Sequence, residues 1–472
     1  MPNTTDRTQL PTSHFPLPTW ATALRLVAAL LLTAAPAASA QSLADTYRPA
    51  AQRIIQRAQA DSSAWNTLAE LTDRFGHRLS GSESLENAID WILAEMKKDG
   101  FDAVRGEPVM VPHWVRGNES LELIAPRPAR LPMLGLGMSV GTPPEGITAD
   151  VIVVSSFEEL EARSSELAGK IVLYDAPFNG YGQTVAYRTQ GASRAARHGA
   201  VAALVRSIAS ESMASPHTGT MTYDSTIARI PTAAITVEDA MMLHRMQERG
   251  WPIRVTLKME ATTLPDARSR NVVAEIRGTE RPDEVVVLGG HIDSWDVGQG
   301  AMDDGGGCVA AWEALRLIRE LGLKPRRTIR VVFWTNEENG TRGGTGYLDA
   351  HRDRVDQHIL ALESDNGAFR PRGFGFTGSD KALAIITEIG SLLEPIGADS
   401  VSRGGGGADI GPLMEQGVPG MSPRVDGERY FWYHHSHADT MDKLDPAHMQ
   451  QLAAAMAVMV YAVADMPQPL PR

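Results

Sequence analysis

The sequence predicts an α/β protein: a mostly parallel, mixed sheet with helices on both faces, carrying an inserted strand-rich domain. Three observations lead there. From Asn271 onward, near-continuous apolar strands alternate with helical periodicities, the pattern of a sheet buried on both faces. Between about Arg116 and Ala267 the composition shifts to prolines and short strands. Before His435, the residues able to hold a metal all fall at or just past strand ends, where such sheets bind ligands.

The chain has 472 residues, too many for one ordinary core, so two domains are expected. With 43% apolar and 22% charged residues it reads as a folded globular protein. Its net charge of −12, without a Lys/Arg run, argues against nucleic acid and against anionic membranes as partners. The single cysteine, Cys308, permits neither an intrachain disulfide nor a thiolate metal site, and reads as a small core residue. Arg25, the apolar run Leu26–Leu32 and Ala38-Ser39-Ala40 form an export signal over 1–40, with a mature chain starting at Gln41 in the periplasm or outside the cell. That run is shorter than the roughly 18 residues a membrane span needs.

Residues 42–98 carry helical periodicity, clearest at Ala64–Thr72 and Leu85–Met96, with Gly100 as a stop. A strand follows at Asp102–Val111. In the middle region, Pro126, Pro128, Pro132, Pro143 and Pro144 punctuate short strands. Further strands are expected at 151–154, 169–175, 200–205 and 230–237, with a helix at 191–198. From Asn271 the expected order is strands at 271–277 and 285–288, a helix at 306–321 and strands at 329–334 and 358–362. Helices at 381–393 and 446–464 complete it. The main fold thus occupies 41–116 and 268–472, around an insertion at 117–267 that lacks clustered metal ligands and reads as a lid or recognition domain.

The chemistry concentrates at Glu337-Glu338, where an apolar strand runs out. Two adjacent carboxylates repel there unless a cation binds one and a reaction uses the other. Glu338 is read as the ligand. Glu337 is the general base that takes a proton from a metal-bound water and returns it to a leaving amine. His291 and Asp293 lie on one side of an extended segment, so His291 can ligate while Asp293 accepts its other ring N–H. Asp303-Asp304 opens a glycine run in which one acid bridges two ions about 3.5–4 Å apart and the other caps a helix. Glu363 and Asp365 are both candidates at the third strand end, Asp365 lying nearer the turn glycine. His434, His435 and His437 compete for the last ligand position. Hard and borderline ligands of this kind, with a spare glutamate, fit a two-zinc hydrolase.

These segments resemble the M28 family of zinc peptidases, most of all its plasma glutamate carboxypeptidase branch. The matching pieces, in order, are Asn271–Gly278, His291–Gly298, Asp303–Gly307, Asn336–Gly340, Glu363–Asp365, Gly404–Asp409 and His434–Thr440. The likeness covers almost the whole mature chain, and the insertion is similar to a protease-associated domain. The resemblance implies one zinc on His291, Asp303 and Asp365 and a second on Asp303, Glu338 and His435, with Glu337 as base. It implies a cis Asp303–Asp304 bond, a homodimer and unblocked dipeptides or short peptides as substrates. Several relatives carry Tyr immediately before the last histidine. Here that place holds His434, which either donates to the developing oxyanion or packs. Gly404–Gly407 reads as a cleft wall or as a plain loop before a helix capped by Asp409. Two rival functions remain on such a scaffold: a receptor without catalysis, and a single-zinc acyltransferase like glutaminyl cyclase.

Overall fold

Eight consecutive buried residues, Arg327–Trp334, form an interior strand of the main sheet. Their β-branched and aromatic side chains fit a strand covered on both faces. In the computed structural model, which describes Ser13 and residues 42–472 except Ser212, this strand lies third from one edge of an eight-stranded sheet. The order is Asp102–Val115, Thr262–Ile276, Arg327–Trp334, Arg281–His291, His358–Glu363, Gly420–Val425, Pro371–Thr377 and Ser400–Arg403. The four strands from Arg327–Trp334 to Gly420–Val425 run parallel to one another, and antiparallel pairs flank them. The expected export signal at 1–40 lies, but for Ser13, outside the described residues.

The period-two alternation of the strands sorts the core cleanly. Val286, Leu288, Val331, Phe333, Leu360 and Leu362 join one cluster with the helices Leu43–Gln59, Ser63–Phe75, Glu83–Lys98, Gly306–Glu320, Asp380–Gly390 and Pro446–Asp465. Their neighbours Val285, Val287, Val332, Trp334 and Ala361 point the other way, onto Tyr347, Leu348, Ile410 and Leu413. Pro446–Asp465 is long and apolar enough to cross a membrane, yet 83% of its most apolar window is buried in this core.

Residues 119–259 build a second eight-stranded sheet. Its centre, Ile147–Val154, Ile171–Tyr174, Ala202–Arg206 and Thr232–Ile235, is parallel, with the helices Tyr181–Arg197 and Val237–Glu248 in its connections. The first helix is ten residues longer at its start than the expected 191–198, because Gly191 is mid-helix rather than at the N-terminus. A Cβ there would stand 2.7 Å from the Tyr174 ring, so glycine lets helix and sheet approach closely. The expected strand at 230–237 ends at Ile235, and Thr236 caps the following helix by accepting the Asp239 N–H. The paired strands Asp102–Val115 and Thr262–Ile276 form a ribbon through which the chain passes between the two sheets.

Candidate active site

Strand ends deliver the acidic and imidazole groups to one place. His291 closes its strand, and Asp365 follows His358–Glu363 by two residues. Asn336, at φ 68°, turns the chain out of Arg327–Trp334 so that Glu337 and Glu338 follow at once. His435, at φ 60°, follows the short helix Tyr430–Tyr433. Asp303 lies in the Ala301–Gly305 turn, and the Asp303–Asp304 bond is cis.

The predicted ligands converge. His291 Nε2 lies 3.3 Å from Asp303 Oδ1 and 3.4 Å from Asp365 Oδ1. His435 Nε2 lies 3.3 Å from Asp303 Oδ2 and 3.0 Å from Glu338 Oε2. Asp303 thus offers one oxygen to each side, as a bridging carboxylate must. His291 Nε2, Asp303 Oδ2, Glu338 Oε1 and Asp365 Oδ1 are buried and have no hydrogen-bond partner. Buried polar atoms are almost always paired, so four unpaired ones aimed at a common centre fit a cation. This set of imidazoles and carboxylates suits zinc.

The electrostatics agree. Burial alone would lower the His291 pKa, but Asp365 and Asp303 drive it well up, and His435 is pushed up to about 10, chiefly by Glu338 against the effect of burial. Burial, with Asp303 beside it, raises Glu338 to about 7. Burial also pushes Glu337 well up, helped by Asp365 and Glu338. Burial and like charges thus favour a proton on Glu337 and Glu338, and the neighbouring carboxylates favour one on His291 and His435. A bound dication reverses that preference.

Asp293 works differently from expectation. The His291 ring donates from Nδ1 to the Asp293 main-chain carbonyl at 2.9 Å, while the Asp293 carboxylate is 3.8 Å away. That carboxylate instead accepts the main-chain N–H groups of Glu337 at 3.0 Å and Glu338 at 3.3 Å. The turn brings two consecutive amides onto one pair of oxygens, and they outcompete the ring. Asp304 accepts the Gly307 N–H at 3.0 Å in the first turn of its helix and the His291 N–H at 3.2 Å. Asp439 accepts the N–H groups of Met302 and Asp303. Arg78, fully buried, donates to the carbonyls of Gly76, Ile292, Gln299 and Gly300, tying the His291 segment to the Asp303 turn.

The alternatives left open by the sequence occupy different places. Glu363 Oε2 accepts the N–H groups of Asp409 and Ile410, leaving Asp365 at His291. His437 is exposed. His434 stacks on His435 with ring centroids 3.4 Å apart, and its Nε2 is 3.7 Å from Asp303 Oδ2. Nitrogen or oxygen atoms of Asp303, His434 and His435 all lie within 4.8 Å of one another, so His434 borders the candidate site. Its pKa falls well below the usual value, through burial and then the His435 charge, which keeps the ring neutral. The glycine run packs tightly: a Cβ on Gly407 would stand 2.2 Å from the Glu363 carboxyl carbon, which favours the plain-loop reading. Asp409 caps nothing, since Ile410 is the N-cap of Gly411–Glu415 and makes no side-chain cap.

Sequence reasoning missed what 181–222 contributes. His217 Nδ1 lies 2.6 Å from the His434 carbonyl. Thr218 donates its N–H to the His435 carbonyl at 2.9 Å, and its own carbonyl stands 3.4 Å from His435 Nδ1. Tyr181, Arg188 and Thr220 line one wall of a cleft of about 540 Å³ whose floor holds Asp303, Glu337, Glu338 and Asp365. These partners are more than two hundred residues from His435 in the chain, and no local pattern announces them.

Comparison with known proteins gives a consistent picture. The model of peptidase family M28 matches residues 271–460. Human carboxypeptidase Q is 51% identical over 414 residues, covering 88% of each chain. Carboxypeptidase Q of Xenopus laevis is 51% identical over 430 residues, 90% of this chain and 92% of its own. The crystal structure of a peptidase M28 precursor from Shewanella amazonensis SB2B superposes with a TM-score of 0.87 at 36% identity, over 91% of this chain and 100% of that one. An aminopeptidase from Aneurinibacillus sp. strain AM-1 shares the fold at 20% identity, with a TM-score of 0.64 over 89% of this chain and 97% of its own.

Proposed function

We propose, given that this chain belongs to peptidase family M28 and is a zinc-dependent exopeptidase, that it hydrolyses dipeptides or short peptides with two zinc ions per chain. The observation that carries this reading is the pair of ligand groups sharing Asp303: His291, Asp303 and Asp365 on one side, and Asp303, Glu338 and His435 on the other. The first group is complete in its own right, which favours two metals over the single one of a glutaminyl-cyclase-like enzyme. Zinc, when bound, would polarise the scissile carbonyl and bring the pKa of an attacking water toward about 7.

The protein's own residues do the rest. Glu337, anchored through its N–H to Asp293, takes the proton from the attacking water and delivers it to the leaving amine. His434, neutral and boxed in by Tyr181, Tyr430 and Phe431, donates to the carbonyl oxygen as charge develops there. Asp293 fixes the turn on which base and ligand both sit. The segment 117–267 serves as an inserted domain that closes the cleft.

Glu337→Gln tests the assignment. The variant should retain zinc and lose at least about a hundredfold in turnover. Near-normal turnover would remove Glu337 from the role of base. Export and dimerisation complete the proposal: amino-terminal sequencing of the exported protein should begin at Gln41, and light scattering should give twice the chain mass.

A further inference from the structure

Trp295 follows the candidate ligand His291 by four residues, yet its side chain ends among the residues of the second sheet. It is 2% exposed and joins the cluster of Leu121, Leu134, Leu257 and Met259. Its tip lies against Gly137: a Cβ there would stand 2.0 Å from Cη2 and 2.3 Å from Cζ3 of the indole. The φ of Gly137 lies outside the left-handed region, so the ring and not the backbone requires glycine at this place. The indole N–H is buried and has no hydrogen-bond partner. A buried tryptophan usually finds one, so packing alone holds this ring.

The same ring reaches the metal site. It tilts against the His435 imidazole, with centroids 5.6 Å apart. His435 has a backbone φ of 60°, which strains a residue other than glycine, so its ring keeps that place only through its neighbours. Thr218 is another of them. It donates its N–H to the His435 carbonyl at 2.9 Å, and its own carbonyl stands 3.4 Å from His435 Nδ1. Thr218 and Gly137 belong to one piece of structure. The Thr218 hydroxyl donates to the Gly135 carbonyl at 2.8 Å, the Gly137 N–H to the Gly219 carbonyl at 3.0 Å and the Met221 N–H to the Gly137 carbonyl at 3.1 Å. The turn bearing Trp295 is pinned on both sides, by the Ser294 N–H on the Arg78 carbonyl at 3.1 Å and by the ion pair of Asp296 with Arg116. The other metal position has no such support. Among the described residues, neither His291 nor Asp365 hydrogen-bonds to anything in 117–267, and His291 is held by Asp293 and Asp304.

We propose that Trp295 is a positioning residue for His435. Through Trp295 and Thr218 the 117–267 segment completes the metal position made of Asp303, Glu338 and His435. The position made of His291, Asp303 and Asp365 stands on the main sheet alone. The two positions therefore differ: one is built within the main sheet, and the other forms only when the second sheet is seated against it. The inference rests on the two-zinc reading and says what retains the second ion. Groups that orient a metal ligand are worth about tenfold to a hundredfold in metal affinity, and that is the effect expected of Trp295.

The test titrates zinc into the purified chain against a competing chelator. It compares wild type, Trp295→Leu, Trp295→Phe, His435→Ala and the double variant of His435→Ala with Trp295→Leu. Wild type should hold two ions tightly. Trp295→Leu should weaken one of them by about tenfold to a hundredfold and leave the other at its wild-type affinity. Trp295→Phe keeps an aromatic ring beside His435 and should restore most of the loss. In His435→Ala the remaining ion should bind equally well with and without Trp295→Leu. Two ions held as tightly in Trp295→Leu as in wild type overturn the proposal. So does equal weakening of both ions, or weakening of the ion that His435→Ala retains, because either shows general damage to the fold. Should Trp295→Leu fail to fold, Gly137→Ala takes its place, since the added methyl group moves the ring from its seat. Selective weakening of one ion is expected there, and unchanged binding overturns the proposal. A wild-type chain that binds one ion would fail the two-zinc reading, and the inference then stands or falls on whether Trp295→Leu weakens that ion.

Discussion

Replacing Asp293 by asparagine disturbs the proposed base without touching it. The Asp293 side chain is fully buried, and its carboxylate takes the Glu337 N–H on Oδ1, and the Glu338 N–H and the Ser80 hydroxyl on Oδ2. An asparagine keeps the shape but has one acceptor oxygen. Whichever way it faces, one main-chain N–H meets an NH₂ group. A buried donor left unpaired costs about 1–3 kcal/mol, and the surviving bond loses its charge assistance, about 1 kcal/mol more. Asp293→Asn should therefore lower the unfolding free energy by about 2–4 kcal/mol, read from urea denaturation. The turn carrying Glu337 then shifts, and a displacement near 1 Å costs about a hundredfold in turnover. The His291 ring is bonded to the main-chain carbonyl of residue 293, which the substitution keeps, so zinc content should stay at the wild-type value. Full turnover in the variant would refute this. Loss of zinc along with turnover would also refute it, because Asp293 would then be acting through His291 rather than through the glutamates.

Three other outcomes are expected. Chelation should lower the melting temperature, since His291 Nε2, Asp303 Oδ2, Glu338 Oε1 and Asp365 Oδ1 are buried without hydrogen-bond partners. Zinc restored at a thousandfold excess over its Kd should return about 4 kcal/mol, and identical melting with and without zinc would contradict the site. His358 is held down to about 4 by burial and then by the Arg330 charge, against about 6.5 when unfolded. The unfolded chain therefore takes up the extra proton first, so this contribution, about 3 kcal/mol at most, is full above pH 6.5 and fades as the pH falls toward 4. Denaturation curves of His358→Gln should show a shallower loss across that window than wild type, and parallel losses would contradict the assignment. Arg78→Met strands four carbonyls, those of Ile292 and Gly300 buried and those of Gly76 and Gln299 partly buried, and should cost about 3–5 kcal/mol with reduced zinc content; wild-type stability in that variant would show that the segments bearing His291 and Asp303 hold without it.

The central sheet and its candidate ligands were readable because both obey short-range rules. Strands buried on both faces read as apolar runs, and the groups that must leave the sheet appear where those runs stop, as at Glu337-Glu338 after Trp334 and Asp365 after Glu363. The strands Pro371–Thr377, Ser400–Arg403 and Gly420–Val425 lie toward the edge, mix polar residues and glycine with apolar ones, and escape that rule. The helix Tyr181–Arg197 begins well before the expected 191–198, because glycine usually marks a boundary whereas Gly191 serves close packing against Tyr174. The role of Asp293 depends on which donor reaches its oxygens first, a matter of turn geometry that the spacing of His291 and Asp293 does not contain. Arg188, His217 and Thr218 meet the His434-His435 pair only through the tertiary fold, so the cleft wall opposite the ligands was invisible until the sheets were placed.

Elemental analysis of the purified chain after equilibration with zinc and removal of the free ion tests the central claim most directly. Two zinc ions per chain, falling to one in His291→Ala and to one in His435→Ala, is the predicted result. A wild-type value of one or none, or a value of two that neither substitution lowers, would contradict it.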